Sequence, residues 1–355
     1  MANTETKGGA ADRAAARRMV KTVVLAQGNI FIRELLRDKK LPIGANKEEF
    51  EINLLGAIDT GELTLGDLTS WLEKVEGWGD QHVYLYHLQE LPAADSFWSV
   101  ENLKRRLPKD DLKLWNASSL VFPDDWDLTG ISYDGISLCY IWHKRLTTLL
   151  RKPKQDRRER IDGDWYQFRA HLERPDRAVV RFVLRRDTGI AAVFMQIPAE
   201  GNAHKEALAR VRGATKPLVE WSKLTEFSAS DAIKNLDQAA LNNDPAARVK
   251  QKKTRLADAG DYVEFATDSE TGGFGQAVRS VRRAVTPSDF TGNVGVFLYS
   301  ASARAPSDPP VRIEISGQER RIRLWAQLKA DEVWRILDLL AKFERPGAKT
   351  QTATR

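Results

Sequence analysis

Residues 131–142 read Ile131-Ser132-Tyr133-Asp134-Gly135-Ile136-Ser137-Leu138-Cys139-Tyr140-Ile141-Trp142, and this stretch decides the fold class. Ile131 and Tyr133, then Ile136, Leu138, Tyr140 and Trp142, recur at every second position. That is the period of a strand with one buried face. Asp-Gly between two alternating runs is a strong two-residue hairpin signal, because both turn positions need a positive φ. Period-two runs continue at Trp165–Leu172, Ala178–Leu184 and Ile190–Ile197, linked by Arg174-Pro175-Asp176 and Asp187-Thr188-Gly189. Both linkers carry turn residues, so the reading is an antiparallel meander.

Working outward, the chain towards the N-terminus has a different period. Arg13–Ala26 is rich in helix formers. Asn29 is a plausible cap for Ile30–Lys39, which Lys40-Leu41-Pro42-Ile43-Gly44 interrupts. Asn46 with Glu49 has capping-box spacing and opens a helix carrying Phe50, Leu54, Leu55 and Ile58. Thr64 and Asp67 open a fourth helix, and Gln81–Leu88 reads as a further helix or a strand, with helix favoured. Asp95–Leu107 reads as a connecting helix.

Beyond the meander come helical stretches at Ala203–Val211 and Ser230–Leu241, strands at Arg248–Leu256 and Tyr262–Ala266, and a helix at Gly275–Ala284. Strands follow at Asn293–Tyr299, Val311–Ser316 and Arg321–Leu328, and then an amphipathic helix, Asp331–Phe343. The expectation is an α+β protein. An all-helical domain, 13–107, precedes a mixed domain rich in antiparallel sheet, 108–345, in which hairpins followed by a helix recur twice as two lobes. Residues 1–12 and 346–355 read as disordered tails.

The most specific stretch is Phe31 to Ile58, FIRELLRDKKLPIGANKEEFEINLLGAI. It resembles the SAP module, a helix–extended loop–helix DNA-binding motif. Leu41, Pro42 and Ile43 match that family's turn, Lys47 its second-helix lysine, and Phe50 and Leu54 its apolar positions. Two positions depart. Lys40 stands where the family has glycine, and Asn53 where it has arginine. The order of elements is also similar to the centromere protein N family of the inner kinetochore. A helical N-terminus with an acidic fourth helix and the Gln81–Tyr86 stretch precedes a sheet domain bearing tryptophan and tyrosine. Members of that family bind nucleosomal DNA and histone, so both resemblances imply a DNA partner.

Charge points the same way. The chain of 355 residues carries a formal net charge of +6. Between residues 140 and 185 there are thirteen Lys and Arg against six Asp and Glu, an excess of seven. Arg151, Lys152, Lys154, Arg157, Arg158 and Arg160 fall in one segment, read as an exposed loop between strands. A helix start suits a phosphate, because its N–H groups are unpaired. Asn46 and Lys47 sit at such a start, with Arg33, Arg37, Lys39 and Lys40 on or just after the helix before it. Against this, Gly61–Leu91 holds six acids and one base. Lys250, Lys252, Lys253 and Arg255 suggest a charged edge strand. Trp165, Tyr166 and Phe168, beside the basic segment, read first as core and second as stacking platforms.

Catalytic chemistry finds little support. The one cysteine, Cys139, lies in an apolar run and reads as a buried thiol. The five histidines are scattered without metal-ligand spacing, and no phosphate-binding P-loop or Gly-x-Ser-x-Gly elbow occurs. Gly272-Gly273-Phe274-Gly275 lacks dinucleotide spacing. The expectation is a non-catalytic protein with no metal and no cofactor, in the cytoplasm or on the nucleoid. It would bind DNA with little sequence preference through the helical domain and the basic segment, without a membrane partner. Two readings stay open. One is an adaptor whose helical domain binds protein through Trp71 and Trp78. The other is a metal-dependent nuclease using Asp162 and Asp164.

Overall fold

A computed structural model describes residues 7–88, 95–117, 120–196, 202–241, 248–256, 262–266, 290–299 and 310–345. The architecture is α+β, helices first and then a large antiparallel sheet. The chain forms two compact units. One comprises Met1–Glu76, Ser118–Thr129 and Trp142–Val179; the other comprises Gly77–Ala117, Gly130–Ile141 and Val180–Arg355. The first break thus falls at residue 76, not near 107. The basic segment belongs to the same unit as the N-terminal helices.

The helices of the first unit are α1 (Lys7–Thr22), α2 (Asn29–Asp38), α3 (Lys47–Thr60) and α4 (Leu65–Val75). Helix α1 begins inside the stretch expected to be a tail. Gly28, not Asn29, precedes α2 as its cap. The capping signals at Asn46 and Thr64 are used. Asn46 accepts from the Glu49 amide, and Thr64 and Asp67 form a reciprocal capping box. Their apolar faces share one core, including Val20, Ile32, Leu36, Phe50, Leu54 and Leu68, each 0% exposed. A fully buried side chain of this size contributes roughly 1.5–3 kcal/mol.

Gln81–Leu88 is strand β1 rather than a helix. Its residues alternate weakly because both faces are covered, and that removes the period on which the reading depends. Helix α5 is Val100–Arg106; β2 is Asp127–Tyr133 and β3 Ser137–Arg151. Strands β4 (Arg157–Ile161) and β5 (Asp164–Phe168) form a separate two-stranded ribbon. Strands β6 (His171–Arg185) and β7 (Ile190–Met195) follow, with β6 running straight through the expected turn at Arg174-Pro175-Asp176. Then come α6 (Ala203–Thr215), β8 (Leu224–Glu226), α7 (Ala229–Leu241), β9 (Arg248–Leu256), β10 (Tyr262–Ala266), β11 (Phe290–Tyr299), β12 (Val311–Ser316), β13 (Arg321–Leu324) and α8 (Ala330–Glu344).

Among the described residues the main sheet has eleven strands in the order β10-β9-β11-β12-β13-β1-β7-β6-β3-β2, with β8 beside β1. One sheet therefore carries the strands of both expected lobes. Strand β9, read as an edge, lies between β10 and β11. The expected helix at Gly275–Ala284 lies outside the described residues. In the second unit α7 and α8 pack on each other, and their Ile233, Leu236, Ile336, Leu337 and Leu340 share a core with Val83, Phe194, Ile313, Ile315 and Ile322 of the sheet. No helix among the described residues is long and apolar enough to cross a membrane.

Candidate nucleic-acid interface

The helix start at Asn46–Lys47 is chemically occupied by the protein itself. The Asn46 side chain accepts from the Glu49 amide at 3.0 Å. The Glu49 carboxylate accepts from the Ala45 amide at 2.8 Å and from the Asn46 side chain at 2.9 Å. With Glu48 and Glu49 both in the first turn, the positive end of α3 faces carboxylates of its own chain. Lys47 turns inward, donating from Nζ to the Leu25 carbonyl at 2.5 Å and the Gln27 carbonyl at 3.3 Å. Lys39 pairs with Asp67 at 2.6 Å. The hydrogen bond from Lys39, followed by that from Thr64, holds the Asp67 carboxyl down at about 2.

Arg33 donates to the Ala45 carbonyl at 3.2 Å and lies over the Phe50 ring at 5.7 Å. Of the six residues expected here, only Arg37 and Lys40 are exposed with no partner among the described residues. Lys40 sits at φ 55°, in the left-handed region. The backbone at the position where the SAP pattern has glycine is therefore of the kind glycine favours. Asn53, standing where that pattern has arginine, donates to the Pro42 carbonyl at 2.8 Å and closes the loop.

Of the other expected cations, Arg157, Arg158 and Arg160 lie on strand β4 of the ribbon rather than in a loop, whereas Arg151 ends β3 and Lys152 and Lys154 lie in the link between β3 and β4. Asp162 and Gly163, at φ 50° and 95°, make a two-residue turn of the kind whose twist suits a hairpin. Of the acidic pair that suggested a metal, Asp162 lies in this turn and Asp164 opens β5 opposite Ile161. Among the described residues no group of three or more His, Cys, Asp or Glu is arranged to hold a metal ion. The register pairs Arg157 with Phe168, Arg158 with Gln167, Glu159 with Tyr166, Arg160 with Trp165 and Ile161 with Asp164. Every residue of both strands is exposed. Trp165 is 72% exposed, so the reading of Trp165, Tyr166 and Phe168 as core is corrected. With only two strands and no layer packed on either face, the ribbon offers nowhere to bury a ring.

At the base of the ribbon Arg151 is tied down. It pairs with Asp156 and donates to the Ala170 carbonyl at 3.0 Å. The hydrogen bond from Arg151, then that from the Ala170 amide, keeps the Asp156 carboxyl at about 2. Arg157 lies 3.6 Å from Glu159 and over the Phe168 ring at 5.0 Å. Lys152, Lys154 and Arg158 have no ion pair among the described residues, and Arg160 holds only the Gly163 carbonyl, through Nε at 2.9 Å.

Two further clusters were not expected from the sequence. In the first unit, Glu76 receives both Nε and Nη2 of Arg177, each at 2.7 Å, with both side chains buried. His143 Nε2 lies 3.8 Å from the same carboxylate, and its Nδ1 meets Thr129 Oγ1 at 2.6 Å. Burial alone would raise the Glu76 carboxyl, but the Arg177 charge, with the nearby His143, outweighs it and holds it well below the usual range. In the second unit, Trp325 is 46% exposed between Arg312 and Arg323, at 5.1 and 4.6 Å. Arg323 also pairs with Asp80 and contacts His82. Cys139, expected to be buried, is half-buried, and Arg181 donates to its Sγ at 3.6 Å.

No family model matches this sequence, and a search of curated proteins finds no match either.

Proposed function

We propose that this protein binds nucleic acid without catalysing a reaction, that DNA is its expected partner, and that the β4–β5 ribbon is the principal contact. One observation carries the proposal: the ribbon is exposed along its whole length while carrying Arg157, Arg158 and Arg160. Solvated basic side chains on a two-stranded ribbon suit phosphate contacts, which position a protein without reading sequence. The SAP resemblance supports the same partner. In the helical module, however, support falls to Arg37 and Lys40, because Lys39, Asn46 and Lys47 are engaged within the protein.

The test is duplex binding against salt. Four to five phosphate contacts give a slope of log K on log salt of about −4. Replacing Arg158 and Arg160 together with glutamine is expected to flatten it by about 2. An unchanged slope and affinity would remove the ribbon from the interface.

A second reading, a protein adaptor, has its own observation. Ile30, Ile43 and Ile52 of the helical module are 61%, 50% and 69% exposed. Isoleucines left in water beside a tightly packed helical core suit a protein partner better than a phosphate backbone. Loss of partner capture on Ile52→Ser, with DNA affinity intact, would favour that reading.

A further inference from the structure

We infer that the ribbon takes unpaired nucleotides, with Trp165 stacking on a base while Arg158 and Arg160 hold the adjoining phosphates. This rests on the nucleic-acid reading above and specifies its ligand.

The argument starts from the register. Directly opposed residues in an antiparallel pair share a face, and successive residues alternate. Arg158, Gln167, Arg160 and Trp165 therefore lie on one face. Arg157, Phe168, Glu159, Tyr166, Ile161 and Asp164 lie on the other. The acids of the two strands thus fall on the second face, where Glu159 is paired with Arg157. The first face carries two arginines, an amide and an indole, and no carboxylate. Of the acids that flank the strands, Asp162 is in the turn and Asp156, just before β4, is paired with Arg151.

Each group on that face has a use in binding a single strand. Trp165 is the most exposed large apolar side chain of the described residues, at 72%. An indole has one N–H donor and a broad π-face, so it reads base edges poorly and stacks on bases well. In a duplex the base faces are already covered by their neighbours. In a single strand they are open, and aromatic platforms flanked by cations are how such strands are held. Arg158 and Arg160 are two residues apart, about 6.7 Å along a strand, of the order of the distance between successive phosphates in an unstacked chain. Arg160 is held by its Nε bond to Gly163, which fixes the stem, and its two terminal nitrogens have no partner among the described residues. It stands directly across from Trp165. A base stacked on the indole would carry its own phosphate past that guanidinium.

The experiment uses the full chain and fluorescence anisotropy with labelled oligothymidylate and with a duplex of equal length. Trp165→Ala is expected to weaken oligothymidylate binding by about tenfold and to change duplex affinity less than about twofold, because stacking needs an open base face. Trp165→Phe keeps an aromatic face and is expected to restore most of the loss. Arg158→Gln with Arg160→Gln weakens both ligands and flattens the single-strand salt slope by about 1.4. If Trp165→Ala lowers both affinities equally, or neither, stacking is refuted, while loss in the arginine variant leaves the nucleic-acid reading standing. If the unaltered protein binds neither ligand, the nucleic-acid reading itself fails.

Discussion

Arg177→Met isolates the electrostatic joint of the first unit. Arg177 donates two hydrogen bonds of 2.7 Å to Glu76, and the two are 8% and 6% exposed, with His143 at 3.8 Å and Thr129 holding the imidazole from its other nitrogen. Removing the guanidinium leaves a carboxylate in a site that water does not reach. Breaking one partner of a buried pair costs about 3–5 kcal/mol, a large share of the roughly 5–15 kcal/mol that keeps a protein folded. Replacing both partners with apolar residues avoids the stranded charge, so Glu76→Leu combined with Arg177→Met is expected to recover most of that loss.

The pH dependence sharpens the test. In the unaltered protein the Glu76 carboxyl is held low by Arg177, so its contribution is complete above about 4.5 and is lost as pH falls below that value. Without Arg177, burial dominates and the folded-state carboxyl shifts upward. The deficit of the variant should then shrink as pH falls from 8 to 5, because the protonated form tolerates burial. Urea unfolding at several pH values measures this directly. A loss below about 1 kcal/mol at neutral pH, given the geometry of the pair, would refute the reasoning, as would a deficit that widens on acidification.

Lys40→Gly should raise stability by about 0.5–1 kcal/mol, since a left-handed backbone at φ 55° burdens any side-chain-bearing residue more than glycine. An unchanged or lower urea midpoint would show that the Lys40 side chain contributes more than its backbone costs. His82 lies buried, and desolvation first, then the Arg321 and Arg323 charges, push its imidazole down to about 3. Folded protein then stays neutral at His82 where unfolded protein takes up a proton, so stability falls between pH 6.5 and 3, by up to about 1.4 kcal/mol per pH unit. His82→Gln should flatten that part of the stability profile, and an unflattened profile would assign the pH dependence elsewhere.

Where the residues announced their own structure, they did so through local chemistry. Asn46 with Glu49, Thr64 with Asp67 and Asp134-Gly135 each act through bonds within a few residues, and each is found in its expected role. The differences between reading and structure have separate causes. Strand β1 has both faces covered, so Gln81–Leu88 shows no clean alternation and passes for a helix. The expected domain break follows the change of hydrophobic period along the chain, but compactness depends on which distant strands pack together, and Trp142–Val179 joins residues far away in sequence.

Within the ribbon, β5 falls in the strand read at Trp165–Leu172, but β4 falls in the segment read as a loop, for a third reason. Alternation was sought in apolar residues, and Arg157–Ile161 alternates among charges because neither face is buried. The signal was nonetheless present. Asp162-Gly163 is the same dipeptide as Asp134-Gly135, and each links two strands, although only Asp162-Gly163 has both residues at positive φ. Applied there, the turn rule pairs Arg160 with Trp165 from the sequence alone, on a ribbon whose faces are both exposed. The cations of the helical module were misjudged in the opposite direction. Lys39 and Lys47 have partners 28 and 20–22 residues away, Asp67 and the carbonyls of Leu25 and Gln27, which no local pattern discloses. Charge counted along a chain overstates a binding surface wherever such tertiary partners exist. It serves better on an exposed ribbon, where the register alone determines each side chain's neighbours. That asymmetry is the physical reason the proposed contact moves from the helix start to β4 and β5.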